Sequence, residues 1–210
     1  MVDKETSWRY AEEFVVEPEA IALARQHSME LGIDAITPAM GAQLALLAAA
    51  STSHAIVEIG TGAGVSGLWL LHGSPRATLT TIDNEPEHLA AARQAFGEAK
   101  VPPARARFIT GRASEVLPRM NEASYDIVLV DADPEGVIEY VEHGLRLARR
   151  GGIVVVAHAL WRGRVADPTV RDDTVAGFRL LLSEIARSEA VLSALSPAGD
   201  GLLQLTKLSD

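Results

Sequence analysis

The period of the hydrophobic pattern changes near residue 54. Before it, apolar residues recur at helical spacing. Pro18 to Leu31 (PEAIALARQHSMEL) carries Ala20, Ile21, Leu23, Ala24 and Leu31 on one broad face. Pro18 suits a first helical turn and Gly32 a C-terminal stop. Pro38 opens a second helix, PAMGAQLALLAAA, which Ser51-Thr52-Ser53 ends. From His54 onward, short apolar runs alternate with helical stretches. Strands are expected at Ala55–Ile59, Ala77–Ile82, Arg107–Ile109, Tyr125–Val130 and Ile153–Val156. Helices are expected between them at Val65–His72, Pro86–Ala99, Ser114–Met120 and Val137–Arg149, then at Asp172–Arg187. The chain closes with runs at Val191–Leu195 and Leu202–Leu208, joined through Gly199-Asp200-Gly201, where Asp-Gly signals a hairpin turn.

Strands alternating with helices imply a parallel sheet with right-handed crossovers. The fold expected is a doubly wound, Rossmann-like α/β sheet of seven strands, mostly parallel, with one antiparallel strand from the terminal hairpin. One domain spans residues 1–210, with N-terminal helices over 1–50 and the ligand-binding sheet over 54–208. In such a sheet the ligand sits beyond the carboxyl ends of the strands. The informative residues are therefore Glu58 to Ser66, Asp83, Gly111 to Ala113, Asp131 to Pro134 and Ala157 to Gly163.

Composition narrows the function. The apolar fraction is 48% with only 5% aromatics, so Ala, Leu and Val must build the core. Nineteen basic against 28 acidic residues give a net charge of -9, which ranks nucleic-acid partners low. There is no cysteine, hence no disulfide, thiol nucleophile or Cys-ligated zinc. Met1 to Glu13 lacks the apolar segment of a secretory signal, and no apolar run suits a membrane helix. A cytoplasmic protein is expected.

The first strand runs into EIGTGAGVSG. Gly60-x-Gly62-x-Gly64 follows it directly, while Gly62-x-Gly64-x-x-Gly67 matches a dinucleotide pattern. Both describe a tight strand-to-helix turn whose backbone amides approach a ligand. Glu58 discriminates: a carboxylate at the strand end would crowd a pyrophosphate and suits a ligand carrying an ammonium and a sulfonium. Asp83 lies 23 residues after Gly60, where an acidic residue accepts from ribose hydroxyls. Either carboxylate could instead cap a neighbouring turn or helix.

VEIGTGAGVS, TIDNEPEH, GRASEVLP, YDIVLVDAD, RRGGIVVVAHALWRGRV and PAGDGLLQL occur in that order. Together they resemble the cation-dependent O-methyltransferases of the catechol and caffeoyl-CoA type, within the class I S-adenosylmethionine-dependent superfamily. The resemblance spans about Thr37 to Lys207. It implies S-adenosyl-L-methionine as cofactor, a small-molecule acceptor and, commonly, a homodimer. It implies that Ile36 and Thr37 line the cofactor from the N-terminal side. Glu58, Gly60, Thr61, Gly62, Gly64 and Ser66 would serve the methionine part and the loop. Asp83 and Asn84 would take the ribose, Gly111 and Ala113 the adenine, and Asp131 and Asp133 the methyl-transfer face.

Three positions depart from that pattern. The family places a divalent cation on an Asp after the fourth strand and an Asp-Asn pair after the fifth. Asp131 matches the first position, but the pair is Ala157-His158. Pro134 replaces a Lys that helps to deprotonate the acceptor. Magnesium prefers oxygen ligands, so Asp131 plus a histidine suits it poorly. A softer ion on Asp131, Asp133 and His158 is the weaker alternative to metal-independent transfer. His158 and Asp131 are the candidate bases, His158 because an unperturbed imidazole titrates near neutrality. Asp131, Trp161 and Arg162 are candidate acceptor contacts, although Trp161 could equally pack beneath a solvated loop. Trp8, Tyr10 and Phe14 would cap the site, meet a second subunit or join the core. The leading reading is small-molecule O-methylation. A nicotinamide-dependent oxidoreductase and a cofactor-binding homologue without catalysis stand beside it.

Overall fold

The computed structural model describes residues 3–209. Three helices come first: α1 (Lys4–Glu13), α2 (Glu19–Glu30) and α3 (Pro38–Ala50). Asp3 and Thr37 cap α1 and α3 by accepting from backbone amides of the first turn. Then β1 (Ala55–Ile59), α4 (Val65–Gly73), β2 (Thr78–Asp83), α5 (Pro86–Glu98) and β3 (Ala106–Thr110) alternate. They continue through α6 (Ala113–Val116), β4 (Tyr125–Val130), α7 (Val137–Leu147), β5 (Ala148–Val156) and α8 (Asp173–Arg187). The hairpin β6 (Val191–Ser196) and β7 (Leu202–Lys207) ends the fold.

The seven strands lie in the order β3-β2-β1-β4-β5-β7-β6. β1 to β5 pair in parallel, and β7 runs antiparallel to both β5 and β6. The expected doubly wound sheet is therefore the observed one. Its order reverses between β1, which continues toward β2, and β4, so the crevice opens at the ends of β1 and β4.

Apart from shifts of a residue or so at element ends, two boundaries differ. Helix α7 stops at Leu147 rather than Arg149, and β5 starts at Ala148, five residues before its Ile/Val run. Arg149 serves the sheet here, its Nε donating to Asp126 at 2.7 Å. A register shift between Tyr125 and Ile127 absorbs the glycine pair. The stretch expected as one helix over Ser114–Met120 splits into α6 and a 3-10 turn, Leu117–Arg119, because Pro118 lacks an amide to continue the α ladder.

Strand alternation distributes side chains to two cores. Ile56, Ile127 and Leu129 face Met40, Leu44, Trp69 and Leu70 of α3 and α4. Val57, Ile59, Val128 and Val130 face Val141, Phe178 and Leu181 of α7 and α8. Each such fully buried aliphatic contributes about 1.5–3 kcal/mol relative to exposure. By the same alternation Glu58 points to the α4 side, the side of Ile56, where an apolar residue would be ordinary.

Candidate functional site

The crevice is assembled by backbone that runs one residue past each strand. Gly60 N–H donates to the Ile82 carbonyl, Asp131 N–H to Ile59, Ala157 N–H to Val130 and Gly111 N–H to Asp83, all within 2.8–3.0 Å. These bonds set the glycine turn, the β4 end, the β5 end and the β3 end side by side. At Gly60, φ is +92°, and a Cβ would lie 1.8 Å from the Asp131 carbonyl oxygen. Only glycine lets the two strand ends approach so closely.

A cavity of about 500 Å³ lies over this seam, lined by Gly60, Gly62, Asp83, Asn84, Gly111, Ala113, Asp131 and Asp133. Eight of the expected cofactor positions thus share one wall. A narrow extension past Asp131 brings in Ile36, Thr61 and Ser66. The Ile36 segment is held there by Arg25, which donates to the Ile36 carbonyl at 2.6 Å and pairs with Glu17. His88 and Arg112 also line the main cavity. His88 carried no motif, and only its place one turn into α5, 3.5 Å from Asp83, brings it in.

Asp83 is nearly buried and joined to the turn it faces. One carboxylate oxygen accepts from the amides of Thr61 and Gly62 at 2.9 and 3.0 Å. The other accepts from Glu85 N–H at 2.9 Å. It therefore orders the glycine turn while it lines the cavity.

Several expected contacts lie elsewhere. Glu58 lines none of the cavities. It is fully buried, and accepts from Ser66 Oγ and Thr81 Oγ1, each at 2.6 Å. Burial pushes its carboxyl up to about 8 despite those two bonds, with Asp131 and Asp83 adding to the rise. At neutral pH it is an uncharged acid, so the negative face toward the crevice comes from Asp83, Asp131 and Asp133. Gly64, at φ +91°, begins α4 and packs on Phe96 and Ala92 away from the cavity. Trp161 stacks on Phe178 of α8 at 5.6 Å, so its ring packs beneath the loop and lines neither the first cavity nor its extension.

A second cavity, about 600 Å³, opens beyond Asp131 between Glu12 and Glu13 of α1, Asp34, Thr37, His158, Arg162 and Asp200. Thr37 belongs to this space rather than to the first cavity. Arg162 ion-pairs with Asp34 at 2.7 Å. Trp8 and Tyr10 of α1 and Phe14 just after it are mostly exposed, so they do not join the core.

His158 lines the second cavity and faces Asp131, which lines the first. Its Nδ1 is 2.5 Å from Asp200 Oδ1, and its Nε2 is 3.5 Å from Asp131 Oδ1. Nε2 is buried without a hydrogen-bond partner. Burial works against the charged ring, but the Asp200 hydrogen bond and the charges of Asp131, Asp200 and Asp34 outweigh it and raise the pKa to about 9. The expectation of a base titrating near neutrality assumed no such neighbours. Burial raises Asp131 to about 6, the charge on His158 opposing and those on Asp200 and Asp34 adding to it. Asp200 was legible only as a turn residue; its reach across 42 residues to His158 is a property of the packed hairpin.

The residues do not fit a magnesium site. Ala157 is buried and offers no donor. Asp133 caps the turn at Glu135. Among the described residues, no three His, Asp or Glu side chains converge as a metal-binding group. The 3.5 Å between His158 and Asp131 is an ion-pair spacing.

The O-methyltransferase family model matches residues 10–208. A Mycobacterium tuberculosis protein that carries an O-methyltransferase name is 50% identical over 200 residues, covering 95% of this chain and 89% of the relative. A Corynebacterium glutamicum protein of known structure superposes with a TM-score of 0.89 at 33% identity, covering 99% of both chains. The O-methyltransferase TomG of Streptomyces achromogenes, involved in tomaymycin synthesis and solved with S-adenosylmethionine, superposes with a TM-score of 0.84 at 29% identity, over 99% of this chain and 100% of that one. The oxidoreductase alternative finds no support among these relatives. A crevice of this construction, on a chain matched nearly end to end by one family model, makes the protein a member of the O-methyltransferase family.

Proposed function

We propose that the chain transfers a methyl group from S-adenosylmethionine to an oxygen of a small molecule, without a magnesium ion. The observation that carries this reading is that Asp131 of one cavity faces His158 of a second, 3.5 Å away. One is walled by the glycine turn and Asp83, the other by His158, Arg162 and α1. The first has the residues for a nucleoside; the second has room for an acceptor.

S-adenosylmethionine, when bound, supplies a methyl carbon made electrophilic by a sulfonium. Asp83, Asn84, Gly111 and Ala113 are suited to the nucleoside, and Gly60, Thr61 and Ser66 to the end that leads to Asp131. The chain's main task is to align acceptor oxygen and methyl carbon. The oxygen forms a bond to that carbon as the carbon–sulfur bond breaks, its electron pair going to sulfur. The acceptor's O–H proton must also leave. Asp131 is ionised above about 6 and has a lone pair to accept it. His158, charged below about 9, stabilises the oxygen as negative charge develops.

Calorimetry with S-adenosylmethionine, S-adenosylhomocysteine and NAD tests the cofactor. Binding of the first two and not the third is expected; NAD binding alone would reject the reading. Transfer of labelled methyl across a panel of hydroxylated acceptors tests the chemistry. For an acceptor that turns over, kcat/KM should rise as Asp131 ionises near pH 6 and fall as His158 loses its proton near 9, a bell-shaped profile.

A homodimer belongs to the same reading. The exposed Trp8, Phe14 and Leu46 beside an apolar groove support it. A monomer in light scattering would remove it.

A further inference from the structure

The loop after β5 is strained and tightly held. His158, Trp161 and Arg162 all have left-handed backbone, with φ of 55°, 46° and 55°. Each such non-glycine residue costs free energy and persists only where its surroundings impose it. The β6–β7 turn imposes it here. Ala159 N–H donates to the Gly201 carbonyl and Leu160 N–H to the Asp200 carbonyl, both at 2.8 Å. Asp200 Oδ2 accepts from Arg162 N–H at 2.9 Å, while Oδ1 takes His158 Nδ1. The turn cannot relax away. Gly201, at φ +104°, leaves no space for a Cβ against Leu160, and Gly199 N–H donates to Glu12 of α1 at 2.5 Å.

One carboxylate thus fixes both the backbone of the loop and the plane of the ring. With Nδ1–H given to Asp200, Nε2 can only turn toward Asp131 and the second cavity. A ring nitrogen facing an ionised carboxylate is best matched by an N–H. The ring between Asp200 and Asp131 therefore favours a proton on each nitrogen.

We infer that Asp200 is a positioning residue, and that the imidazolium it holds occupies the role which the family resemblance gives to a divalent cation, a fixed positive group beside the acceptor oxygen. The inference deepens the methyl-transfer reading and rests on it for the identity of that oxygen. The position supports it. Ala157 has removed a carboxylate that a cation would need, and His158 supplies the charge on the adjacent residue. The charged groups around the ring come from every element packed on it. Asp131 ends β4, Asp34 lies between α2 and α3, Asp200 is in the hairpin turn, and Arg162 is on the same loop. Glu12 and Glu13 of α1 line the same cavity. Carboxylates outnumber Arg162, and Arg162 is already paired with Asp34.

The test is a ring-nitrogen NMR titration of the full chain labelled with nitrogen-15 histidine, with His158→Gln used to assign the signal. A charged ring at neutral pH with a midpoint near 9 is expected, unmoved by millimolar magnesium chloride. Asp200→Asn should lower that midpoint by about one unit or more, and Asp200→Glu should restore part of it. The descending limb of the kcat/KM profile should move with it, while affinity for S-adenosylhomocysteine stays unchanged. A wild-type midpoint at or below about 6.5, or a shift on adding magnesium, overturns the inference without any variant. An unmoved midpoint in folded Asp200→Asn overturns it too. Failure of the wild type to bind S-adenosylhomocysteine would instead sink the methyl-transfer reading, leaving the state of the ring to be read from the titration itself.

Discussion

Glu58 shows how a residue type can be informative and its role misjudged. Its position at the end of β1 is plain from the sequence, and its type suggests a cationic ligand. The period-2 rule, followed one step further, sends its side chain to the α4 side with Ile56, where Ser66 and Thr81 hold it. A carboxyl at about 8 in the fold against 4.5 unfolded binds its proton more tightly when folded. Between those values the native state carries more protons than the unfolded one, so this group makes stability fall as pH rises from about 4.5 to 8. Glu58→Gln should flatten that slope and raise the melting temperature at pH 8, by the equivalent of up to a few kcal/mol. Melting curves from pH 5 to about 8.5 check this; a variant less stable than wild type throughout would mean that Glu58 is needed in its charged form.

Among the elements, the turn between β1 and α4 was the most legible, because glycines so close behind an apolar run have few other uses. What the sequence could not convey was which glycine does what. Gly60 admits the Asp131 carbonyl, whereas Gly64 starts a helix and packs on α5. Gly60→Ala should cost on the order of 3 kcal/mol, from its positive φ and from the carbonyl in its path. Calorimetry should also show weakened binding of S-adenosylhomocysteine; native stability and affinity would contradict the close approach. The hairpin is the opposite case. Asp-Gly signalled a turn correctly, but a turn signal is local and says nothing about the loop it lands on. The link between Asp200 and His158 arises only when β7 pairs with β5 in the observed register, Val156 opposite Leu203. Trp161 belongs with it: its packing on Phe178 of α8 is likewise a contact between distant elements.

At the scale of the molecule, the alternation of apolar runs and helical stretches sufficed for sheet and topology, since parallel strands with right-handed crossovers leave few arrangements. The crevice at the strand ends followed from the same rule, so most residues lining the first cavity could be named. The second cavity could not, because α1, the α2–α3 connection and the hairpin turn come together there from distant parts of the chain. A ligand spanning the crevice would tie the two halves of the sheet together. S-adenosylhomocysteine at a hundred times its Kd should therefore stabilise the fold by about 2.7 kcal/mol, roughly 5–10 °C in melting temperature for a chain of this size. Thermal shift measures it directly, and no shift at saturating ligand would count against the site.

The β6–β7 hairpin also has a place in time. A chain emerging from the ribosome presents the glycine turn and Asp83 first, β4 with Asp131 next and Asp200 only after all of these. Until then His158 has no anchor and its loop no reason to hold a strained backbone. A product cut short before the hairpin would therefore keep most of the residues that line the first cavity and lack the carboxylate that anchors His158.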